Sequence, residues 1–400
     1  MPKIRIKEID NTGRVSSTET PNVVYIPGPA DEAVAPVLFT SASLFKKAVE
    51  DGTYAKELSA KMAYHLLTLG MHVLYEGVEI SDETGEASID WDILTDKNLY
   101  NVRFLTTGQF FQGSQDGVNM IKCAATRCDA VALIDIYTEN NDVDEYRDAI
   151  DTLVESAGAL EIPSTLEPAT FAAAFAPTWS GNINGLDDTV EKIDNLPPSF
   201  AYLCAFARSV RENPMWYAVA GSFRGVIPEL TAVAKEYNSS DIEMLQARSK
   251  DVEVALDDAG DNVGIAINPI AYRRPFGHLI WGNRTLRDNE GDDAGVGITK
   301  ATSFLNCRIL ATEVAKVAFN AANKYTFEQN SEILWTNFTS YILPTLDRMS
   351  TGNGILDYKI IKVPTNKKAR LCAKISLIPI EAVEDFDITI ELTDEISVTE

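Results

Sequence analysis

Histidine is scarce in this chain, with only three in 400 residues. His65 falls on a helical face, His72 opens a strand and His278 follows a Pro-Phe-Gly turn. No G-x-S-x-G turn accompanies them. A Ser-His-Asp site needs an imidazole within hydrogen-bond reach of a serine and an acid, and nothing here assembles one. Nucleotide signatures are missing as well: there is no G-x-x-x-x-G-K-[ST] and no G-x-G-x-x-G opening a helix. "TGNG" (351–354) and "GVG" (295–297) read as turns. No uninterrupted apolar run reaches membrane-spanning length. The opening "MPKIRIKEID" is charged where a secretory signal is apolar, so the chain is expected in the cytosol where it is made. Five cysteines are scattered, and only Cys123 and Cys128 lie close, in "KCAATRCD" without a second pair or a histidine. Zinc takes about four such ligands, so these read as free thiols and no metal is expected. Acidic clusters at 139–145, 257–262 and 289–295 lack the EF-hand order and read as solvated loops. No cofactor is implied.

Basic charge is also short. Against 35 Lys and Arg stand 59 Asp and Glu, a net of −24, which argues against a nucleic-acid footprint. The imbalance is uneven along the chain. Residues 298–380 hold eleven basic and five acidic residues, a net of +6, whereas 381–400 hold eight acidic residues and no basic one. A basic segment beside an acidic tail suggests internal or intersubunit matching.

What is present is a long alternation of strands and helices. "NVVYIPGP" reads as the first strand of the folded body, and "TYAKELSAKMAYHLLTLG" as a helix closed by Gly70. "MHVLYEGVEI" and "NVRFLTTG" are strand-like and "GVNMIKCAATR" helical. "DAVALIDIY" is apolar on both faces, as in a central parallel strand. "DVDEYRDAIDTLVESAGA", "TFAAAFAP" and the Pro-started helix "LPPSFAYLCAFARSVREN" continue the alternation. "SSDIEMLQARS" is a short capped helix, and "NVGIAINPIAYRRPFGHLIWGNRTL" reads as two strands around a basic loop. Asp135 ends a buried strand, where α/β enzymes place catalytic groups. Without a partner histidine it reads as a carboxylate that caps a helix or ties a loop. Two amphipathic helices then follow, the second with Ser331 as its cap and Pro344 inside it, and two strands joined by "PTNKK" make a small α+β module. Both ends alternate with period 2: Ile4 and Ile6 in "KIRIKEI", and Phe386, Ile388, Ile390 and Leu392 in "EDFDITIELTDEISVTE".

Taken in order, these pieces resemble the contractile phage tail sheath protein family. "GIAINPIAYRRPFGHLIWGNRTL" (264–286) has the family's Asn-Pro-Ile-like strand end, turn and Trp-Gly-Asn-Arg-Thr-Leu-like strand. Residues 304–360 resemble its C-terminal module, with an Arg-bearing helix, a Phe-Glu-x-Asn hinge (Phe327, Glu328, Asn330) and Trp335. "RCDAVALIDIY", "FAAAFAPTW" and "LPPSFAYLCAFARS" look like its middle domain. The likeness covers most of 95–392 and is loose over the first hundred residues. The family's second arginine at the start of the C-terminal helix is absent, Asn306, Cys307 and Arg308 standing there.

The resemblance implies an N-terminal extended arm (1–21), an N-terminal αβ region (22–98) and a subtilisin-like, non-catalytic α/β domain (99–295). An α+β sheath module (296–380) and a C-terminal extended arm strand (381–400) complete it. It also implies a homo-oligomer of stacked six-fold rings around a tail tube, in a virion tail assembled in the host bacterial cytoplasm. Tail tube, baseplate and tail terminator proteins are then its partners, and neither nucleic acid nor direct membrane insertion is expected. Arms bearing Ile4, Ile6, Phe386, Ile388, Ile390 and Leu392 would add strands to neighbouring subunits, and contraction would drive the tube through a bacterial envelope. Arg308, Lys316 and Lys324 recur every eight residues, which winds a strip around a helix, and they are the candidate tube-facing cations. Alternatives are the sheath of a phage-derived injection particle or tailocin, an α/β hydrolase using a Ser or Asp, and a tube or capsid protein.

Overall fold

A computed structural model describes residues 21–81, 87–111, 114–136, 138, 140–159, 166–247, 264–287 and 301–384. Ile4, Ile6, Phe386, Ile388, Ile390 and Leu392, and the acidic clusters at 257–262 and 289–295, lie outside the described residues.

The apolar strands gather into one eight-stranded sheet. Its centre holds β1 (Val23–Pro29), β3 (His72–Val78), β4 (Phe104–Leu105), β5 (Val131–Asp135), β6 (Ala172–Ala176) and β10 (Asn268–Arg273), all paired in parallel. Antiparallel strands close the two edges: β2 (Val34–Phe39) beside β3, and β11 (Gly277–Ile280) beside β10. Parallel sheets must be covered on both faces, and the residue alternation divides accordingly. Val24, Ile26, Leu133 and Phe175 enter one core, while Tyr25, Ala132, Ile134 and Ala174 enter the other. The first core is built with α1 (Ala42–Glu50), α2 (Leu58–Thr68) and α5 (Pro198–Glu212); the second with α3 (Ser114–Arg127), α4 (Val143–Gly158) and α7 (Ser239–Leu245). The short α6 (Gly221–Arg224) lies before β9 (Leu230–Val233).

Local chemistry sets the helix ends. Gly70 sits at φ +87, past the end of α2, where a Cβ would be strained. Asn238 and Asp241 form a reciprocal capping box on α7, and Ser331 Oγ accepts from Leu334 N–H at 3.2 Å.

Two features of the arrangement are not marked in the sequence. Residues on both sides of 98/99 contribute to one sheet, since β1, β2 and β3 pair into the same sheet as β4 to β6. Parallel pairing partners are far apart in sequence, so segment composition cannot mark them. A three-stranded sheet, β8 (Val190–Leu196), β7 (Trp179–Asn184) and β9, also went unread, since "WSGNIN" and "VEKIDN" are too polar to signal burial. The C-terminal segment matches its expected elements: α8 (Leu305–Tyr325), α9 (Glu332–Thr351) and an antiparallel pair β12 (Ile355–Val363) and β13 (Cys372–Pro379).

Candidate assembly surface in the C-terminal module

The β12–β13 ribbon is half a sheet. Tyr358, Ile360, Ile375 and Leu377 turn inward and pack against the core, while Lys359, Ile361 and Lys374 face out. Among the described residues no further strand pairs with either of them, so within that set each strand has one edge without a strand partner. Such a ribbon is marginal alone and open to strand addition. Six cations, Lys359, Lys362, Lys367, Lys368, Arg370 and Lys374, and one acid, Asp357, lie on it and its connecting turn. Lys362 Nζ reaches Glu332 at 2.6 Å.

Between this ribbon and the α8–α9 turn lies a cleft of about 460 Å³, lined by Ala322, Tyr325, Phe327, Leu334, Phe338 and Ile375 among others. Asn330 Nδ2 donates to Lys368 O at 2.8 Å and Arg370 O at 3.4 Å, which ties the ribbon's turn to the helix turn. Phe327 stands on the rim in the left-handed region, φ +73, with its ring fully in solvent (103% exposed). A non-glycine held there carries strain of about 1–2 kcal/mol, and an aromatic ring left in water is unusual beside an apolar cleft.

The candidate tube-facing cations do not form the expected strip. Arg308 and Lys316 are buried, and only Lys324 is exposed. The Arg308 guanidinium lies over the Phe171 ring at 4.4 Å, and burial holds its pKa down at about 10. Lys316 Nζ donates to Asn101 Oδ1 and Val102 O, each at 2.7 Å, and stands 3.5 Å from Asp129; burial lowers its pKa to about 7. Lys324 lies over the Tyr341 ring at 5.0 Å. The reason is that α8 is covered on two sides. One face meets α9, and the other rests on the large sheet through Lys316–Asp129–Arg127 and the fully buried pair Arg103–Glu313, 2.5 Å apart. Sequence reasoning missed this contact; its only sign is an arginine inside the apolar run "NVRFL".

The groups weighed for chemistry are engaged structurally. Asp135 accepts from Ser199 N–H at 2.6 Å and Ser199 Oγ–H at 2.5 Å. It thus serves the start of α5, whose own N-cap residue, Pro197, has no side-chain cap bond. Burial raises its pKa to about 7 against those hydrogen bonds. His278 meets Glu236 at 2.6 Å on the surface. His65, Cys204 and Glu229 bring three potential metal-ligand atoms within 4.8 Å of one another. Asn184 N–H donates to His65 Nδ1 at 3.0 Å, so Nε2 carries the proton and donates to Glu229 at 3.1 Å. Arg208 also pairs with Glu229. Burial holds His65 near a pKa of 4, so it stays neutral. Glu229 Oε1 is thus met by an imidazole N–H and a guanidinium, while its Oε2 is buried without a hydrogen-bond partner. All five cysteines are free thiols, and among the described residues no helix is long and apolar enough to cross a membrane.

No protein-family model matches the sequence, and no curated protein matches it. Solved structures do match along nearly its whole length. A chain of the PVC extracellular contractile injection system sheath complex, in the contracted state, covers 99% of this chain and 98% of its own, at a TM-score of 0.63 and 15% identity. A chain of the contracted anti-feeding prophage (AFP) baseplate covers 97% of each at 0.60 and 15%. A sheath tail protein from Desulfitobacterium hafniense covers 95% of this chain and all of its own at 0.51 and 8%.

The chain has the fold of a contractile-sheath subunit. The likeness spans both the mixed α/β body and the C-terminal module.

Proposed function

We propose that the chain is a structural, non-enzymatic subunit of a contractile sheath. It polymerises as stacked six-fold rings around a tail tube and contracts to drive that tube through a bacterial envelope. The observation that carries this reading is the full-length likeness to a chain of a sheath complex, joined to a two-stranded ribbon in the C-terminal module that no other described strand pairs with. The parallel sheet layered by helices is read as the subtilisin-like domain of such subunits, without its catalytic residues.

In this reading the acidic tail, 381–400, and the N-terminal segment with Ile4 and Ile6 are strands given to other copies. Phe386, Ile388, Ile390 and Leu392 would cover the ribbon, and the six acids that follow Glu384 would meet its six cations. Strand addition supplies backbone hydrogen bonds through a tether, and heterologous contacts that do not close give helical arrays. Subunits then move past one another while remaining joined, between two packings of the same folded body. Tube, baseplate and terminator proteins are the remaining proposed partners. Of the three cations first considered for the tube, Lys324 alone is on the surface for that contact. Its place is the virion tail, or a phage-derived injection particle. The likenesses to PVC and AFP chains, at higher TM-scores than the Desulfitobacterium protein, favour the injection particle.

Negative-stain microscopy of the purified chain tests the reading. Ribbed hollow cylinders are expected; particles that stay monomeric in every buffer and salt condition overturn it.

A further inference from the structure

The last described residues do not continue along the ribbon. After β13, Ile380 N–H donates to Gly354 O at 3.0 Å, and the chain passes the start of α8, where Cys307 Sγ lies 3.8 Å from Ile380 O. It then reaches Arg284 of the body. Glu384 Oε2 accepts from Arg284 Nε at 3.0 Å and from Nη2 at 2.6 Å. The arginine is built in: its guanidinium lies 4.1 Å over the Phe304 ring and its side chain is only 8% exposed. Asn268 fixes its backbone from both sides, Oδ1 accepting Arg284 N–H at 2.7 Å and Nδ2 donating to Arg284 O at 2.8 Å. Val383, between these anchors, is 71% exposed, while Ile380 and Ala382 are half-buried.

This path has a topological consequence. Residues 380–384 do not extend the line of β13. Those residues instead cross to Arg284. We propose that Arg284 is a positioning residue that latches the root of the C-terminal tail at Glu384. The latch fixes the point on the body from which the tail departs toward a second copy. This rests on the tail being a donated strand. Charge-assisted bonds from a rigid guanidinium suit the role, because they fix direction as well as distance.

The test uses the full chain with Glu384→Gln and Glu384→Lys, and Glu381→Gln as a control that removes a nearby acid not engaged with Arg284. Pelletable polymer, thermal midpoint and backbone hydrogen exchange over 380–384 are measured for each. Wild type and the control are expected to polymerise alike. Glu384→Gln should lose several-fold in polymer and Glu384→Lys more than tenfold, with thermal midpoints unchanged. Exchange at 380–384 should accelerate by about tenfold or more once the latch opens. Equal polymer from wild type and Glu384→Lys overturns the latch and leaves the sheath reading standing. A wild type that never polymerises overturns the sheath reading, and this inference with it.

Discussion

Glu313→Ala is the most demanding test of how the C-terminal module is joined to the body. Glu313 and Arg103 are both fully buried, 2.5 Å apart, one on α8 and the other just before β4. Removing the carboxylate leaves a guanidinium charge inside the protein, since arginine does not release its proton there. Breaking a buried pair from one side costs about 3–5 kcal/mol. For a cooperative unit of roughly 150–250 residues, each kcal/mol moves the midpoint by about 2–4 °C, so a fall of at least about 6 °C is expected. The double replacement Arg103→Met with Glu313→Leu removes both charges and fills the space. It should return to within about 1 kcal/mol of wild type, because desolvation then no longer opposes folding. Denaturant unfolding followed by tryptophan fluorescence, together with hydrogen exchange resolved on α8, reads both the size and the place of the loss. A Glu313→Ala protein within about 1 kcal/mol of wild type would refute the reasoning, as would a double variant no better than the single one.

Asp135→Asn reports on a carboxylate whose pKa burial raises from 3.8 to about 7. The folded state then holds a proton over this range that the unfolded state has released. The stability tied to this proton is full below about pH 4 and is lost as pH rises through about 7. The wild type's advantage over Asp135→Asn should shrink across that window in urea titrations; a flat difference would contradict it. Phe327→Ala should leave the thermal midpoint within about 1 °C of wild type, since the ring is in solvent, while lowering the yield of cylinders; unchanged yield removes Phe327 from the assembly surface. Truncation after residue 384 should give a folded chain that forms no cylinders by electron microscopy. Charge reversal at Lys359 and Lys374, both outward on the ribbon, should raise the subunit concentration needed for polymer by about tenfold at low salt and less at high salt; a salt-independent change would argue against charge matching.

The large elements were legible because their periods are clean. "DAVALIDIY" is apolar on both faces and became β5, buried throughout between two parallel neighbours. The long C-terminal helix and its partner strands appeared where their patterns placed them, and the role read for Asp135 as a capping carboxylate agrees with its bonds to Ser199. What could not be read were relations between distant segments. The strand read in "NVRFLTTG" is only the two-residue β4, and its period says nothing of its place between β1 and β5, where it joins the first hundred residues to the rest. Arg308 and Lys316 look like solvated positions because periodicity shows one apolar stripe, and it cannot show that polar residues on another face meet buried acids, carbonyls and a ring. The open ribbon was expected as a small sheet, but its cleft and the exposed Phe327 depend on how the α8–α9 turn closes against the β12–β13 turn, a match that neither segment encodes alone.

α8 has one further consequence, and it is mechanical. The helix packs on α9 through apolar side chains on one side, and on the other it is joined to the large sheet by ion pairs and hydrogen bonds. A force on α8 along its contact with the sheet is therefore resisted first by these charged groups, which are buried where water cannot take their place.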